Sequence, residues 1–215
     1  MPDLDFRVED ASVIPFAAAP LLGFQVAIAN SGDEPVFSVA LRCQIRIEAN
    51  RRRYSLADQE NLVDLFGEPD RWAQTLRSLL WTNVTATAPE FTKATKIEVQ
   101  VPCTFDFNVA ATKYFHGLGS GDIPLCFLFS GSIFYNAGDG VARVAPIPWS
   151  KESRFLLPAR TWRDLMDMYY PNSAWLRLRR DVFERLYLRK IQNGITSWEA
   201  VIESILDQCE SEVKQ

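Results

Sequence analysis

The stretch Val39-Ala40-Leu41-Arg42-Cys43-Gln44-Ile45-Arg46-Ile47 sets Val, Leu, Cys, Ile and Ile at every second position and Ala, Arg, Gln and Arg between them. A period of two is that of a β-strand with one face buried and the other turned outward. The segment therefore speaks for sheet architecture. It also leaves Arg42 and Arg46 on a face that solvent or a partner must meet.

Working outward, Phe24, Val26 and Ile28 alternate with Gln25, Ala27 and Ala29, and the turn residues Asn30-Ser31-Gly32-Asp33 follow, with Pro35 just beyond. Further strands are expected at Leu79–Ala86, Lys96–Val101, Thr104–Val109, Leu125–Tyr135 and Val141–Ile147, the last two joined by the turn Asn136-Ala137-Gly138-Asp139-Gly140. Seven or eight short antiparallel strands between turn signals imply a β-sandwich.

One helical insert interrupts them. Ser55 is placed to cap a helix with Asp58 at its third position, Leu62, Val63 and Phe66 form its apolar face, Gly67 stops it, and Pro69 opens another turn around Trp72. After Pro158 the period becomes helical. A first helix around Thr161–Met168 must end before Pro171, and a second is expected from about Leu176 to Gln192, ended by Asn193-Gly194. Thr196 and Glu199 read as the capping box of a third, in which Trp198, Val201, Ile202, Ile205, Leu206 and Cys209 make one stripe. The expectation is an α+β protein: an antiparallel β-sandwich, immunoglobulin-like or C2-like, over 1–157 with a helical insert near 56–74. Helices in 158–215 form a C-terminal helical cap packed on it as part of one structural unit.

Composition bounds the function. The chain has 215 residues, enough to bury roughly 70% of its unfolded surface, and its 47% apolar and 23% charged content is that of a folded globular protein. With 23 Lys+Arg against 27 Asp+Glu there is no general attraction for nucleic acid. No apolar run approaches the roughly 20 residues of a membrane span, and Met1-Pro2-Asp3-Leu4-Asp5 lacks the basic start of a secretory signal. The expectation is a cytoplasmic protein without a membrane span.

The residues that carry chemistry elsewhere are sparse here. Cys43, Cys103, Cys126 and Cys209 stand far apart with no metal-binding or redox spacing, and read as small core residues. His116 is the only histidine, so a multi-histidine metal site is excluded and its place beside a glycine loop suggests a surface or capping role. Gly117-Leu118-Gly119-Ser120-Gly121-Asp122 lacks the lysine of a phosphate loop and leads into Ile123-Pro124-Leu125, so it reads as a connection into a strand. Asp106, Asp122 and Asp139 read as turn or strand-end residues. No catalytic, cofactor or metal residue is assigned.

Two basic groups stand out: Arg51-Arg52-Arg53 beside Arg46, and Arg177, Arg179, Arg180, Arg185, Arg189 and Lys190 on the second C-terminal helix. One reading is a solvated face paired with the acids Glu199, Glu203, Asp207, Glu210 and Glu212 of the last helix. The other is a docking face for a protein partner, because Arg beside Trp175 and Tyr187 is the composition of interface centres. The candidate interaction residues are thus Arg42, Arg46, Trp175, Arg177, Arg179, Arg180, Arg185 and Tyr187.

Arg52-Arg53-Tyr54, Leu62-Val63-Asp64-Leu65-Phe66-Gly67, Ser78-Leu79-Leu80-Trp81, Val101-Pro102-Cys103-Thr104-Phe105-Asp106, Ala111-Thr112-Lys113-Tyr114-Phe115, Phe129-Ser130-Gly131, Pro148-Trp149-Ser150 and Tyr170-Pro171 span most of the chain. Together they resemble a bacterial family of uncharacterised proteins, a domain of unknown function encoded near nickel-iron uptake hydrogenases. The resemblance implies an accessory role, with a hydrogenase subunit or maturation protein as partner, and carries no catalytic residues. The expected function is a non-enzymatic accessory or protein-interaction protein supporting assembly or stability of a nickel-iron hydrogenase. The alternatives are a sandwich that binds a small ligand between strands and helices and a carboxylate-dependent enzyme.

Overall fold

Residues 39–47 lie inside a twelve-residue strand, β3 (Val36–Ile47), whose faces part as the alternation requires. Val39, Leu41, Cys43, Ile45 and Ile47 are each no more than 2% exposed, while Ala40 and Arg42 face outward. A computed structural model describes residues 1–103, 109–137, 141–173 and 178–213. They divide into two units, Met1–Ser173 and Ala174–Gln215.

The first unit is mixed α+β with two antiparallel sheets. One holds β1 (Leu4–Val13), β2 (Leu21–Asn30) and β5 (Ala94–Pro102) in the order β1-β2-β5. The other runs β4 (Leu79–Ala88), β3, β6 (Asp122–Asn136), β7 (Ala142–Pro146), with β8 (Glu152–Pro158) also paired to β6. Cys43 therefore sits between Val84 of β4 and Phe129 of β6. β6 is long enough to need two outer neighbours: Asp122–Leu128 pair with β8 and Ser132–Asn136 with β7. Gly131 stands at the changeover with φ +134°, and a Cβ there would lie 2.0 Å from the carbonyl oxygen of Ala40. Only glycine lets β6 pass β3 so closely.

Aromatic rings join the two sheets. Phe6 of β1 stacks on Phe129 with centroids 4.6 Å apart, and Phe24 of β2 meets Phe127 edge-on at 5.0 Å and Trp81 and Phe155 at 6.1 Å each. Edge-to-face pairs contribute about 0.5–1.5 kcal/mol each beyond the area they bury. Phe115, on α4 (Val109–Gly117), extends the cluster, lying 4.9 Å from Trp81 and 5.7 Å from Trp162 on α5 (Ala159–Tyr169). Trp81 and Trp162 are both buried there. α5 packs on β1, β2 and β8 through the apolar side of its turns.

The insert between β3 and β4 comprises α1 (Leu56–Asn61), α2 (Val63–Phe66) and α3 (Trp72–Thr75). Ser55 Oγ accepts from the Asp58 amide at 3.1 Å, and the Asp58 carboxylate accepts from the Ser55 amide at 3.2 Å, a reciprocal cap. Gly67, at φ +76°, ends α2, and its carbonyl accepts from the Trp72 indole at 2.8 Å.

The second unit holds α6 (Arg180–Gln192) and α7 (Trp198–Val213), which meet through Phe183, Tyr187 and Trp198.

Three expectations need adjustment. Of the strand expected at Thr104–Val109, residues 104–108 lie outside the described residues and Val109 opens α4, where an apolar Val-Ala-Ala start carries helix as readily as strand. α6 begins at Arg180, because Arg179 is extended (φ −65°, ψ 149°). The cap of α7 is Ser197, whose Oγ accepts from the Ala200 amide at 3.1 Å, one residue past the hydroxyl of Thr196 that the capping box pointed to. Gly138, Asp139 and Gly140 of the expected turn, and Asp106, lie outside the described residues.

Phe24→Ala removes the ring that three aromatic side chains of the facing sheet converge on, and is expected to lower the unfolding free energy by about 3–5 kcal/mol. Urea denaturation followed by tryptophan fluorescence measures it, and a loss under about 1 kcal/mol would contradict this packing.

Candidate functional site

The glycine loop is clamped rather than open. Arg52, its side chain 7% exposed, donates to the carbonyl of Asp122 at 2.5 Å and to that of Ser120, and lies 3.7 Å from the equally buried Asp58 carboxylate. The Gly119 amide donates to the other Asp58 oxygen at 2.8 Å. Burial alone would raise the Asp58 carboxyl, but the Gly119 and Ser55 amides, the Ser55 hydroxyl and the Arg52 charge outweigh it and hold the group below its ordinary value. Beneath lie the Tyr54 and Tyr114 hydroxyls, 2.9 Å apart, with Tyr54 donating to the Ala49 carbonyl at 2.6 Å. Burial pushes both phenols up, so they remain neutral. Every loop amide and carbonyl named here is spent on the protein itself. The loop is a structural connection into β6.

The Arg51-Arg52-Arg53 run is split three ways: Arg51 pairs with Glu48 at 3.1 Å, Arg52 is buried in this clamp and Arg53 is exposed. His116 is exposed in the last turn of α4. Cys43 and Cys103 are buried, and desolvation pushes each thiol up to about 12; burial also raises Cys126. Cys209 corrects the expectation of a core residue. It is exposed, because the stripe of α7 on which it lies is not covered along its whole length. Among the described residues no three His, Cys, Asp or Glu side chains group as metal ligands would.

The candidate interaction residues separate. Arg42 is exposed on β3 in a shallow depression flanked by Thr85, Thr87, Ser130 and Ser132, without an ion pair among the described residues. Arg46 is half-buried and donates to Ser78 Oγ at 2.5 Å. A second shallow depression lies over Ala27 and Ala29, on the outward face of the other sheet. Arg179 pairs with Asp181 at 3.0 Å and Arg180 with Glu184 at 2.9 Å, both local pairs on exposed helix surface. Arg185 is exposed and has no ion pair among the described residues, and Tyr187 is exposed against Phe183. Trp175 and Arg177 lie outside the described residues.

The most pointed feature of the first unit is one that the alternation did not single out. Between β1 and β2 the chain reads Ile14-Pro15-Phe16-Ala17-Ala18-Ala19-Pro20, without one polar side chain. Phe16 is fully exposed and adopts φ +60°, a left-handed conformation costly for a bulky residue. What maintains it is Tyr169 of α5, whose hydroxyl accepts from the Ala17 amide at 2.9 Å and donates to the Ile14 carbonyl at 3.0 Å. The base is closed by Ile14 N to Leu21 O at 3.0 Å and Cys103 N to Pro20 O at 2.9 Å. A pinned loop thus holds an aromatic ring out in water. The signal in the sequence was an apolar run bracketed by two prolines, too irregular for a strand and too greasy for an ordinary turn.

The chain belongs to DUF6084, a family of unknown function whose model matches residues 1–214. No curated protein matches it. Among solved structures it is similar to IrmA from Escherichia coli, at 10% identity and TM-score 0.33 over 70% of this chain and 88% of that one. It is also similar to an ApaA protein from Bordetella pertussis, at 14% identity and TM-score 0.30 over 73% and 93% of the two chains. A third is a CARDB domain from Pyrococcus furiosus in complex with two metal ions, at 12% identity and TM-score 0.28 over 73% and 87%. Among the described residues no helix is long and apolar enough to cross a membrane.

The Asp58 clamp carries a pH signature. At and above the ordinary carboxyl value of 3.8 its contribution to stability is present, and it is lost as pH falls from there through the lower folded value. Urea midpoints followed from neutral to strongly acidic pH are expected to decline less steeply in Asp58→Asn than in the parent; equal slopes would contradict the clamp.

Proposed function

We propose that this member of a family of unknown function is a non-enzymatic protein-interaction protein that offers a preformed surface to a larger partner, serving the assembly or stability of a nickel-iron hydrogenase. The observation that carries the reading is Phe16, held fully exposed at φ +60° by two hydrogen bonds to the Tyr169 hydroxyl. Backbone strain maintained by surrounding structure around an exposed aromatic ring is the signature of a prepared contact. A ring fixed in advance loses little conformational entropy when it enters a partner's pocket. Aromatic anchors of this kind dominate interface energies. Arg42, exposed and unpaired among the described residues, adds a second point of contact on β3.

The two sheets, joined face to face by Phe6, Phe24, Phe127 and Phe129, are read as an immunoglobulin-like sandwich that serves as a rigid frame for these loops. The hydrogenase assignment rests on the sequence resemblance described above. On this reading the protein works in the cytoplasm beside a hydrogenase subunit or maturation protein.

Affinity capture of the tagged chain from a host expressing its hydrogenase is expected to recover a hydrogenase subunit or maturation protein. Phe16→Ala is expected to weaken that recovery at least about tenfold while leaving the thermal midpoint unchanged within error, since the ring buries nothing in the free protein. Tyr169→Phe, which frees the loop, is expected to weaken it less. Capture without any hydrogenase protein would overturn the assignment, and full recovery with Phe16→Ala would overturn the surface.

A further inference from the structure

In the second unit the charges divide by helix. Around α6 stand Arg179, Arg180, Arg185, Arg189 and Lys190 against Asp181 and Glu184, whereas α7 carries Glu199, Glu203, Asp207, Glu210 and Glu212 and no basic residue. Opposite signs on consecutive helices would ordinarily pair within the chain. Here they do not. Arg179 and Arg180 bond to acids of their own segment, Arg189 donates to the neutral Gln208 at 2.7 Å, and Lys190 lies over the Trp198 ring at 5.7 Å. Among the described residues Glu199, Glu203, Asp207 and Glu210 have no ion pair, and Arg185 has none either.

The same two helices leave apolar surface open. Leu188 and Ile191 of α6 are 56% and 58% exposed, and Ile202 and Leu206 of α7 are 40% and 56% exposed. No α6 side chain is buried. Helices of 13 and 16 residues are short to stand on their own propensity and rely on covering such faces.

We propose that the cover is a second copy of this chain, docked about a two-fold axis so that α6 of each protomer lies against α7 of the other. A two-fold interface must be self-complementary. A basic helix beside an acidic one meets that condition, since the axis brings plus onto minus twice, with Leu188, Ile191, Ile202 and Leu206 between. A partner of one charge would match one helix and repel the other. This inference shares no residue with the Phe16 surface and stands or falls apart from it.

Analytical ultracentrifugation of the full chain tests it. At micromolar and higher concentration the parent is expected to sediment at twice the 24.4 kDa chain mass. Leu206→Asp, at an exposed position, is expected to give the monomer with unchanged circular dichroism. Two charge-reversed variants sharpen the test: one carries Arg180→Glu, Arg185→Glu and Arg189→Glu, the other Glu199→Lys, Glu203→Lys and Asp207→Lys. Each alone sets like charge against like and is expected to raise the dissociation constant by on the order of tenfold or more. Mixed, they restore plus against minus on both sides of the axis, and the dimer is expected to return as a heterodimer. A monomeric parent at all concentrations, a dimer indifferent to Leu206→Asp, or a mixture that stays monomeric would overturn the proposal.

Discussion

The packing of the first unit converges on Phe24, a ring of one sheet that meets three rings of the other. It is fully buried, in edge contact with Phe127, Trp81 and Phe155, and these rings occupy the space that each sheet's apolar face must fill. From it follow the inward positions of β3 and β6, the seating of α4 through Trp81 and Phe115, and the docking of α5 through Trp162. The depressions that contain Arg42 and that overlie Ala27 lie on the outward faces, away from these rings. The ring-packed interior and the outward depressions are thereby divided.

That division is reinforced by where the polar groups are spent. Arg52 and Asp58 bond to the loop before β6, and Tyr169 bonds to the loop between β1 and β2. In both places a side chain with two bonding directions fixes two backbone groups at once. The consequences differ because of what the loops carry. The glycine loop has its Gly119 amide and its Ser120 and Asp122 carbonyls bonded to the protein, whereas the β1–β2 loop presents a phenyl ring.

What the sequence made legible follows from local physics. The period of two in Val39–Ile47 needed no partner to be recognised, and the Ser55 cap with Gly67 as its stop is written in residue chemistry alone. What it hid depends on distant chain. Cys209 sits on an apolar stripe, and nothing within α7 says how far along the helix that stripe is covered. The start of α4 reads equally well as strand, since Val109, Ala110 and Ala111 carry either conformation. The Arg residues of α6 were distinguishable only after Arg179 and Arg180 were seen to pair locally while Arg185 was not. Phe16 became a candidate through its backbone conformation and its bond to a residue 152 positions away from Ala17, a relation no spacing reveals.

On the proposed reading, an outward, pre-set loop takes the partner while the ring-packed interior stays closed. Hydrogen exchange of the full chain, free and in whatever complex affinity capture recovers, measures this, residue by residue. Slowed exchange at the Ala18 and Ala19 amides is expected on binding, with Val26, Cys43 and Phe127 unchanged. Protection gained along those inner strands with the loop unaffected would contradict it.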